Sequence, residues 1–181
     1  MDSGRDAYEM RRHAENSALR EVILEHLFIG EVQRHLWRLG IHDVEVLRSE
    51  FDAAGYDLVI SRGEITRHIQ LKASRAKGAR RHVNVNRKLA AKPSGCVIWI
   101  AVDDDLTAAS YLWFGNGPGE PLANLDGFST SHHSKANMDR EKTERPNLCD
   151  VPKSAFRAVN GVPDIVELLL GVRAPEAPEL R

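Results

Sequence analysis

A continuous apolar run, CVIWIAV at residues 96–102, constrains the fold of this chain more than any other feature of its sequence. Pro-Ser-Gly at residues 93–95 precedes the run, and three consecutive aspartates at residues 103–105 follow it. Short apolar runs bounded by turn residues are typical of a central strand that is buried on both faces. We therefore expect a β-sheet at the centre of the fold, with SYLWFG at residues 110–115 as a neighbouring strand.

The segments before this run predict a helix followed by several strands. Residues 6–39 contain no proline and end at Gly40, which predicts one long helix with an interruption near Gly30. Three segments rich in β-branched or large apolar residues then predict strands: VEVLRS, YDLVIS and EITRHIQLKAS. The last two are expected to form a hairpin around Arg62-Gly63. HVNVN at residues 82–86 alternates with period two and predicts a further strand, and residues 87–92 predict a helical turn.

The second half of the chain predicts a long loop and closing helices. Residues 115–147 are polar and rich in turn formers, so we expect a long loop or a flap there. Residues 154–159 and 163–170 predict helices, the second with Pro163 near its start and Gly171 after its end. We expect one domain over residues 18–172, an N-terminal extension of the first helix over residues 1–17, and a disordered tail over residues 173–181.

Composition and charge limit the classes of function. The 181 residues are 42% hydrophobic and 28% charged, which suits one compact domain. Cys96 and Cys149 lack the spacing of a zinc site or a disulfide framework and predict free thiols in a reducing compartment. With no apolar run of about 18 residues and no leader pattern, a cytoplasmic protein without membrane contact is expected. A net charge of −1 means that nucleic-acid binding would need a local basic surface.

Three polar residues of the predicted hairpin form the pattern that points most clearly to chemistry. Asp57 begins one strand, while Gln70 and Lys72 lie two residues apart in the next, and residues two apart on a strand share a face. A hairpin turn at residues 62–63 brings Asp57 alongside that strand. Oxygen ligands hold Mg²⁺ against a phosphate, and a nearby cation stabilises developing charge, so this grouping suits phosphodiester cleavage.

The sequence here resembles the PD-(D/E)XK nuclease superfamily, in the Gln-x-Lys variant of Mrr-like restriction nucleases. The matching residues are Gly55-Tyr56-Asp57-Leu58 and Ile69-Gln70-Leu71-Lys72, within a region of about residues 18–102. Tyr56 replaces the usual proline, and Gln70 replaces the usual acid. The resemblance implies an α/β fold with a restriction-endonuclease-like core, in which helices flank a mixed central β-sheet. It also implies a Mg²⁺ or Mn²⁺ cofactor held by Asp57 and Gln70, with Lys72 as a further catalytic residue.

The family also implies a metal-binding glutamate from the first helix, and three glutamates compete for that role. On a helical wheel Glu25 falls within the apolar arc, between Val32 and Leu36, whereas Glu31 lies on the polar side. Glu21 sits at the edge of the apolar arc. We expect Glu25 to join the catalytic and metal-binding set, with Glu21 and Glu31 as alternatives.

A one-signed basic segment follows the predicted metal site. No acidic residue occurs between Lys72 and Asp103. We predict phosphate contacts from this segment, whose basic residues extend to Lys92, with Asn84 and Asn86 as further donors. The predicted nucleic-acid-binding residues are Arg75, Lys77, Arg80, Arg81, Arg87 and Lys88.

Together these features predict a metal-dependent endonuclease that cleaves DNA in restriction, defence or repair, working as a homodimer. The sequence leaves two alternatives open: a non-catalytic nucleic-acid-binding or protein-interaction domain that has kept the fold, and a nuclease acting on RNA. His132-His133, in the predicted loop, is interpreted as surface rather than as a metal site. Trp99, Trp113 and Phe114 are expected in the core rather than stacked on bases.

Overall fold

The computed structural model describes residues 3–50, 54–133 and 143–172. The helices are α1 (Ser3–Glu15), α2 (Ser17–Arg38) and α3 (Val162–Leu170). The strands are β1 (Glu45–Arg48), β2 (Leu58–Arg62), β3 (Ile65–Arg75), β4 (His82–Asn86), β5 (Gly95–Val102), β6 (Ala108–Gly115), β7 (Thr130–His132), β8 (Glu144–Pro152) and β9 (Arg157–Val159). Two short 3₁₀ helices cover Arg87–Ala91 and Lys153–Ala155.

The strands form two sheets. The larger has six strands in the order β1-β2-β3-β5-β6-β9, in which β3 and β5 are parallel and the other neighbours are antiparallel. The smaller has three antiparallel strands in the order β4-β8-β7. The predicted α/β fold, with a mixed central sheet flanked by helices, is therefore confirmed. The hairpin of β2 and β3 is also confirmed, with its turn at Gly63 in the left-handed region at φ 54°.

Strand β5 is the central strand that the apolar run predicts, and it separates two cores. Cys96, Ile98 and Ile100 pack on the side of α2 and α3, whereas Val97 and Trp99 pack with the small sheet. This alternation follows from the two-residue period of a strand. The neighbouring strand β6 is also confirmed, and Trp113 on it is 3% exposed, so the tryptophans of these strands are core residues.

The N-terminal helix differs from the prediction in the position of its break. Two helices meet at Asn16, and Gly30 lies inside α2 without interrupting it. The buried residues of α2 recur at intervals of four: Leu24, Phe28, Val32 and Leu36. This apolar stripe packs against the sheet on both sides of Gly30, so the helix continues past the glycine. The predicted extension over residues 1–17 is thus a separate helix, α1, over its described residues.

The C-terminal region confirms one predicted helix and corrects two other predictions. Helix α3 ends at Gly171, whose φ of 68° is the left-handed conformation typical of a helix end. The predicted helix at 154–159 is wrong, because Arg157–Val159 pairs with β6. The predicted loop at 115–147 also contains β7 and the start of β8, which pair with each other. Part of that loop, 134–142, and the predicted tail, 173–181, lie outside the described residues.

Candidate metal and nucleic-acid site

The candidate site lies where β3 extends beyond β2. Pairing between these strands ends at Leu58 and Ile69, whereas β3 continues to Arg75 beside its parallel neighbour β5. Among the described residues, positions 70–75 of β3 therefore have a strand on one side only. On the open side, the side chains of Asp57 and Arg80 instead of a neighbouring strand bind backbone groups of β3.

Asp57 immediately precedes β2 and is fixed against this open edge. Its backbone N–H donates to the carbonyl of Ile69 at 2.8 Å, which extends the hairpin ladder by one residue. Its carboxylate Oδ2 accepts a hydrogen bond from the N–H of Leu71 at 2.7 Å. The carboxylate is thus held beside the segment of β3 that carries Gln70 and Lys72.

Gln70 and Lys72 share the face of the sheet that is turned toward the small sheet. They pair with Val97 and Trp99 of β5, and both of these side chains belong to the core beneath the small sheet. Paired residues on neighbouring strands project to the same face, so Gln70 and Lys72 project there too. Asp57, the next residue in the ladder beyond the Leu58–Ile69 pair, lies opposite Gln70.

Gln70 is 2% exposed, and its amide oxygen is already hydrogen-bonded. Gln70 Oε1 accepts from the backbone N–H of Asn86 at 3.1 Å, at the end of β4. Asn86 also packs against Gly55, where an added Cβ would lie 2.6 Å from the Asn86 Cβ. Gly55 has a φ of 79°, so glycine at this position allows the chain entering Asp57 to pass close to Asn86.

A cavity of about 550 Å³ opens onto these three residues. Glu21 and Glu25 of α2, Arg80, and Asn84 of β4 line it together with Asp57, Gln70 and Lys72. The cavity is therefore bordered by the open edge of β3, by α2 and by the segment between β3 and β4. It brings carboxylates, an amide oxygen and basic groups to one place.

Of the three competing glutamates, two line this cavity. The side chain of Glu25 is 17% exposed and forms an ion pair with Arg48, at the end of β1. Glu21 is exposed at the cavity wall. Glu31 lies elsewhere, beside Tyr111 in a separate cavity, and pairs with Arg34. Their positions at the cavity thus favour Glu25 and Glu21 over Glu31 as the metal-binding glutamate.

The basic segment divides into structural and exposed residues. Arg75 is 10% exposed and binds Asp6 and Asp104 at 2.6 and 2.9 Å, and these two carboxylates raise the pKa of its guanidinium above the ordinary value. Arg87 donates to the carbonyls of Leu125 and Phe128, both at 2.8 Å. Both guanidinium groups thus hold distant segments of this chain together.

The other basic residues lie closer to solvent. Lys77, Arg80, Arg81 and Lys88 are exposed. The guanidinium of Arg80 also donates to the carbonyl of Ala73 at 3.3 Å, which places that group on the open side of β3. Lys92 instead lies 5.4 Å from the ring centre of Tyr56. Lys77, Arg80 and Arg81, in the segment between β3 and β4, therefore form the basic surface nearest the cavity; we call them the basic loop.

Two neighbours of the site were not foreseen from sequence. Arg48 pairs with Glu25 from a strand that carries no recognisable motif, so only the fold reveals this contact. Asn84 reaches the cavity while its amide donates to Ser131 at 2.8 Å and to Asp150 at 2.6 Å. These bonds connect the site to β7 and β8 of the small sheet, and the sequence did not indicate that β4 pairs with β8. His132 lies in β7, 3.9 Å from Glu144.

The oxygen donors of the cavity fit a hard divalent cation. Carboxylates of Asp57 and the α2 glutamates, with the amide oxygen of Gln70, are the ligand types that Mg²⁺ and Mn²⁺ prefer. Within the described residues, Glu21, Glu25 and Asp57 do not form a group whose oxygens all lie within 4.8 Å of one another. A bound cation would therefore have to draw a glutamate inward, and Glu25 would have to loosen its ion pair with Arg48.

Comparison with known proteins assigns no family to the chain: no family model matches it, and neither the curated proteins nor the solved structures give a significant match. In the part of the chain that the structure describes, no helix is long and apolar enough to cross a membrane.

Proposed function

We propose that this chain is a metal-dependent endonuclease that hydrolyses phosphodiester bonds of DNA, with Mg²⁺ or Mn²⁺ as its cofactor. One observation carries the proposal: Asp57, Gln70, Lys72 and two glutamates of α2 line a single cavity at the open edge of β3. Their convergence joins residues from three separate segments of the sequence. The resemblance to PD-(D/E)XK nucleases in the same residues supports this reading.

Each side chain has a distinct part in the proposed reaction. Asp57, Gln70 and Glu25 would hold the cation, with Glu21 as the alternative glutamate. The cation, when bound, neutralises phosphate charge and makes phosphorus more electrophilic. Lys72 stabilises the charge that develops on the phosphate as water adds to phosphorus and the ester oxygen leaves. The basic loop contacts phosphates on either side of the scissile bond.

A non-catalytic nucleic-acid-binding domain is the second candidate, and two contacts favour it. The amide oxygen of Gln70 accepts a hydrogen bond from Asn86, and Glu25 is paired with Arg48. Both contacts compete with a metal ion for the same oxygens. In such a domain the basic loop would bind nucleic acid, and the cavity would catalyse no cleavage.

Cleavage assays with site variants separate the two candidates. Purified protein is incubated with plasmid, linear duplex, single-stranded DNA and RNA in Mg²⁺, Mn²⁺ or EDTA. We expect metal-dependent cleavage of DNA, and a loss of at least about 10²-fold in Asp57→Ala, Lys72→Ala and Glu25→Gln, because each removes a group that stabilises the transition state. DNA affinity, measured in Ca²⁺ or EDTA, should stay within a few-fold of the unaltered protein.

Asp43→Ala is the matched control, because this exposed carboxylate precedes β1, at the opposite end of that strand from Arg48, and pairs with Arg62. It should leave cleavage unchanged. Cleavage that survives Asp57→Ala would contradict the proposed site. Nucleic-acid binding without cleavage in the presence of any of the metals would favour the non-catalytic domain. Cleavage of RNA but not of DNA would instead indicate a nuclease that acts on RNA.

A further inference from the structure

Helix α1 is attached to the rest of the molecule by polar groups. Among residues 4–15, whose side chains are described, only Glu9 and His13 are buried, at 9% and 4% exposure. They lie four residues apart and therefore on one face of the helix. The larger apolar residues Tyr8 and Met10 are 63% and 59% exposed. Hydrophobic burial thus does not account for the docking of this helix.

The two buried side chains meet Asp104, in the turn between β5 and β6. Glu9, His13 and Asp104 each offer one atom that could bind a metal, a carboxylate oxygen or a ring nitrogen, and these three atoms all lie within 4.8 Å of one another. His13 Nε2 is 4.0 Å from Asp104 Oδ1. Two ligands of one Zn²⁺ at about 2.0–2.1 Å lie at most about 4.2 Å apart. Small side-chain rotations would therefore bring the three groups to ligand distance.

Unsatisfied buried atoms give an independent indication of a ligand here. By geometry, neither ring nitrogen of His13 has a hydrogen-bond partner, although the backbone of Asp104 lies close to the ring. Glu9 Oε2 also has no partner of suitable geometry, although Arg12 lies 2.9 Å away. Buried polar atoms that have no partner destabilise the folded state. A cation bound by these atoms would remove that destabilisation.

The surrounding charges permit a cation at this position. Arg12, Arg20 and Arg75 face the group, together with the carboxylate of Asp6. Asp6 and Asp104 both pair with Arg75, so a cation would share the Asp104 carboxylate with Arg75. Arg12, at 45% exposure, pairs with Glu9 and also donates to the carbonyl of Asp104, so a cation would displace it from Glu9. Burial lowers the pKa of His13 below its ordinary value, and the neighbouring arginines lower it further.

We propose that Glu9, His13 and Asp104 form a second metal site that binds Zn²⁺ and fastens α1 to the turn between β5 and β6. An imidazole with two carboxylates favours Zn²⁺ over Mg²⁺, which prefers oxygen ligands alone. This site shares no residue with the proposed nuclease site. Its role is structural, since the ion would join two distant parts of the chain.

The test measures Zn²⁺ binding and the protection of α1 in tag-free, full-length protein. An Asp57→Ala background disables the proposed nuclease site, so that its metal does not contribute. Zn²⁺ is titrated against a chromophoric chelator, and amide hydrogen exchange follows residues 3–15 with and without Zn²⁺. We expect one Zn²⁺ per chain and at least about tenfold slower exchange in α1, with no such effect from Mg²⁺.

Variants then assign the ligands. His13→Ala and Glu9→Gln should each weaken Zn²⁺ binding by at least about 10²-fold, because the first removes a direct ligand and the second removes the negative charge of another. Glu15→Gln is the control, since Glu15 lies on the same helix but is exposed and paired with Arg11. Because Glu9→Gln keeps the shape of the side chain, it tests the site even if His13→Ala loosens the fold. Equal Zn²⁺ affinity in Glu9→Gln and Glu15→Gln, or Mg²⁺ protecting α1 as well as Zn²⁺, would overturn the proposal.

Discussion

Gln70 occupies the position at which a carboxylate would add a negative charge to the candidate nuclease site. Its side chain is buried, and its oxygen accepts from the N–H of Asn86. A glutamate of similar shape could accept the same hydrogen bond more strongly, because charged acceptors form shorter and stronger bonds. Exchanging glutamine for glutamate at position 70 would therefore change the number of negative charges around a bound cation while keeping the geometry of the strand.

Substituting Gln70 separates the role of charge from the role of shape. We expect Gln70→Glu to retain cleavage and to bind Mg²⁺ roughly tenfold more tightly, because it adds a charged ligand. Gln70→Ala should lose most of the cleavage, since it removes the ligand and leaves the Asn86 N–H unpaired. Metal titration of DNA cleavage measures both effects. Equal cleavage by Gln70→Ala and the unaltered protein would show that residue 70 is not a ligand.

For single residues, the sequence predicts which side chains share a face of a strand better than it predicts hydrogen-bond partners that lie far along the chain. The two-residue period of β3 places Gln70 and Lys72 on one face, and the hairpin turn brings Asp57 beside them, as expected from sequence. The partners of Arg75 and Arg87 could not be predicted in this way. Arg75 binds residues 6 and 104, and Arg87 binds the segment around residue 126, so their roles depend on the tertiary fold. The roles of these residues in catalysis and binding stay predictions.

The elements show where sequence patterns mislead. Residues 154–159 contain no helix breaker, yet Arg157–Val159 is a strand because β6 offers it an unpaired edge. Residues 115–147 are rich in turn formers, yet part of the segment pairs as β7 and β8. In both cases hydrogen bonding to a distant strand determines the local structure. Periodic apolar segments such as β5 and α3 agree with their predictions because their buried faces are evident within each segment.

The basic loop is the element on which nucleic-acid affinity should depend. Replacing Lys77, Arg80 and Arg81 with glutamine should weaken binding to DNA of every sequence. The slope of log K against log salt should also become shallower, by about 0.9 for each phosphate that the loop neutralises. Fluorescence anisotropy at several salt concentrations measures both quantities. The matched control replaces Arg34, Arg38 and Arg157, which are exposed on α2 and β9. An equal effect in both triple variants would indicate attraction by total charge alone.

At the scale of the whole molecule, the second sheet was the least predictable feature. Strand β4 has the alternation that the sequence predicts, but its partner β8 begins at Glu144, far along the chain. The resulting layer covers the face of the large sheet opposite α2 and α3, so the central strand is buried on both sides. Homodimer formation, a property of the same scale, stays a prediction.

The two cysteines report whether the two layers unfold together. Cys96 lies in the core beneath α2 and α3, whereas Cys149 lies in the core of the small sheet, and both are free and buried. Burial raises the pKa of Cys96 to about 12 and also raises the pKa of Cys149. At pH 8 both groups are therefore protonated thiols, which react slowly with thiol reagents because the thiolate is the nucleophile.

We expect the reaction of both thiols with a chromogenic disulfide at pH 8 to be limited by unfolding of the whole domain. Cys96→Ala and Cys149→Ala each leave one thiol, so the two layers can be followed separately. Both rates should match each other and should rise with urea in parallel with the unfolding rate measured by circular dichroism, because a single cooperative domain exposes both cores at once. The unfolding rate of each variant, measured separately, corrects for the small cavity that alanine leaves. A Cys149 thiol that reacts faster than its variant unfolds would show that the small sheet opens independently. The candidate site would then lose Asn84 from its cavity wall, and the bond from Asn86 to Gln70, before the large sheet unfolds.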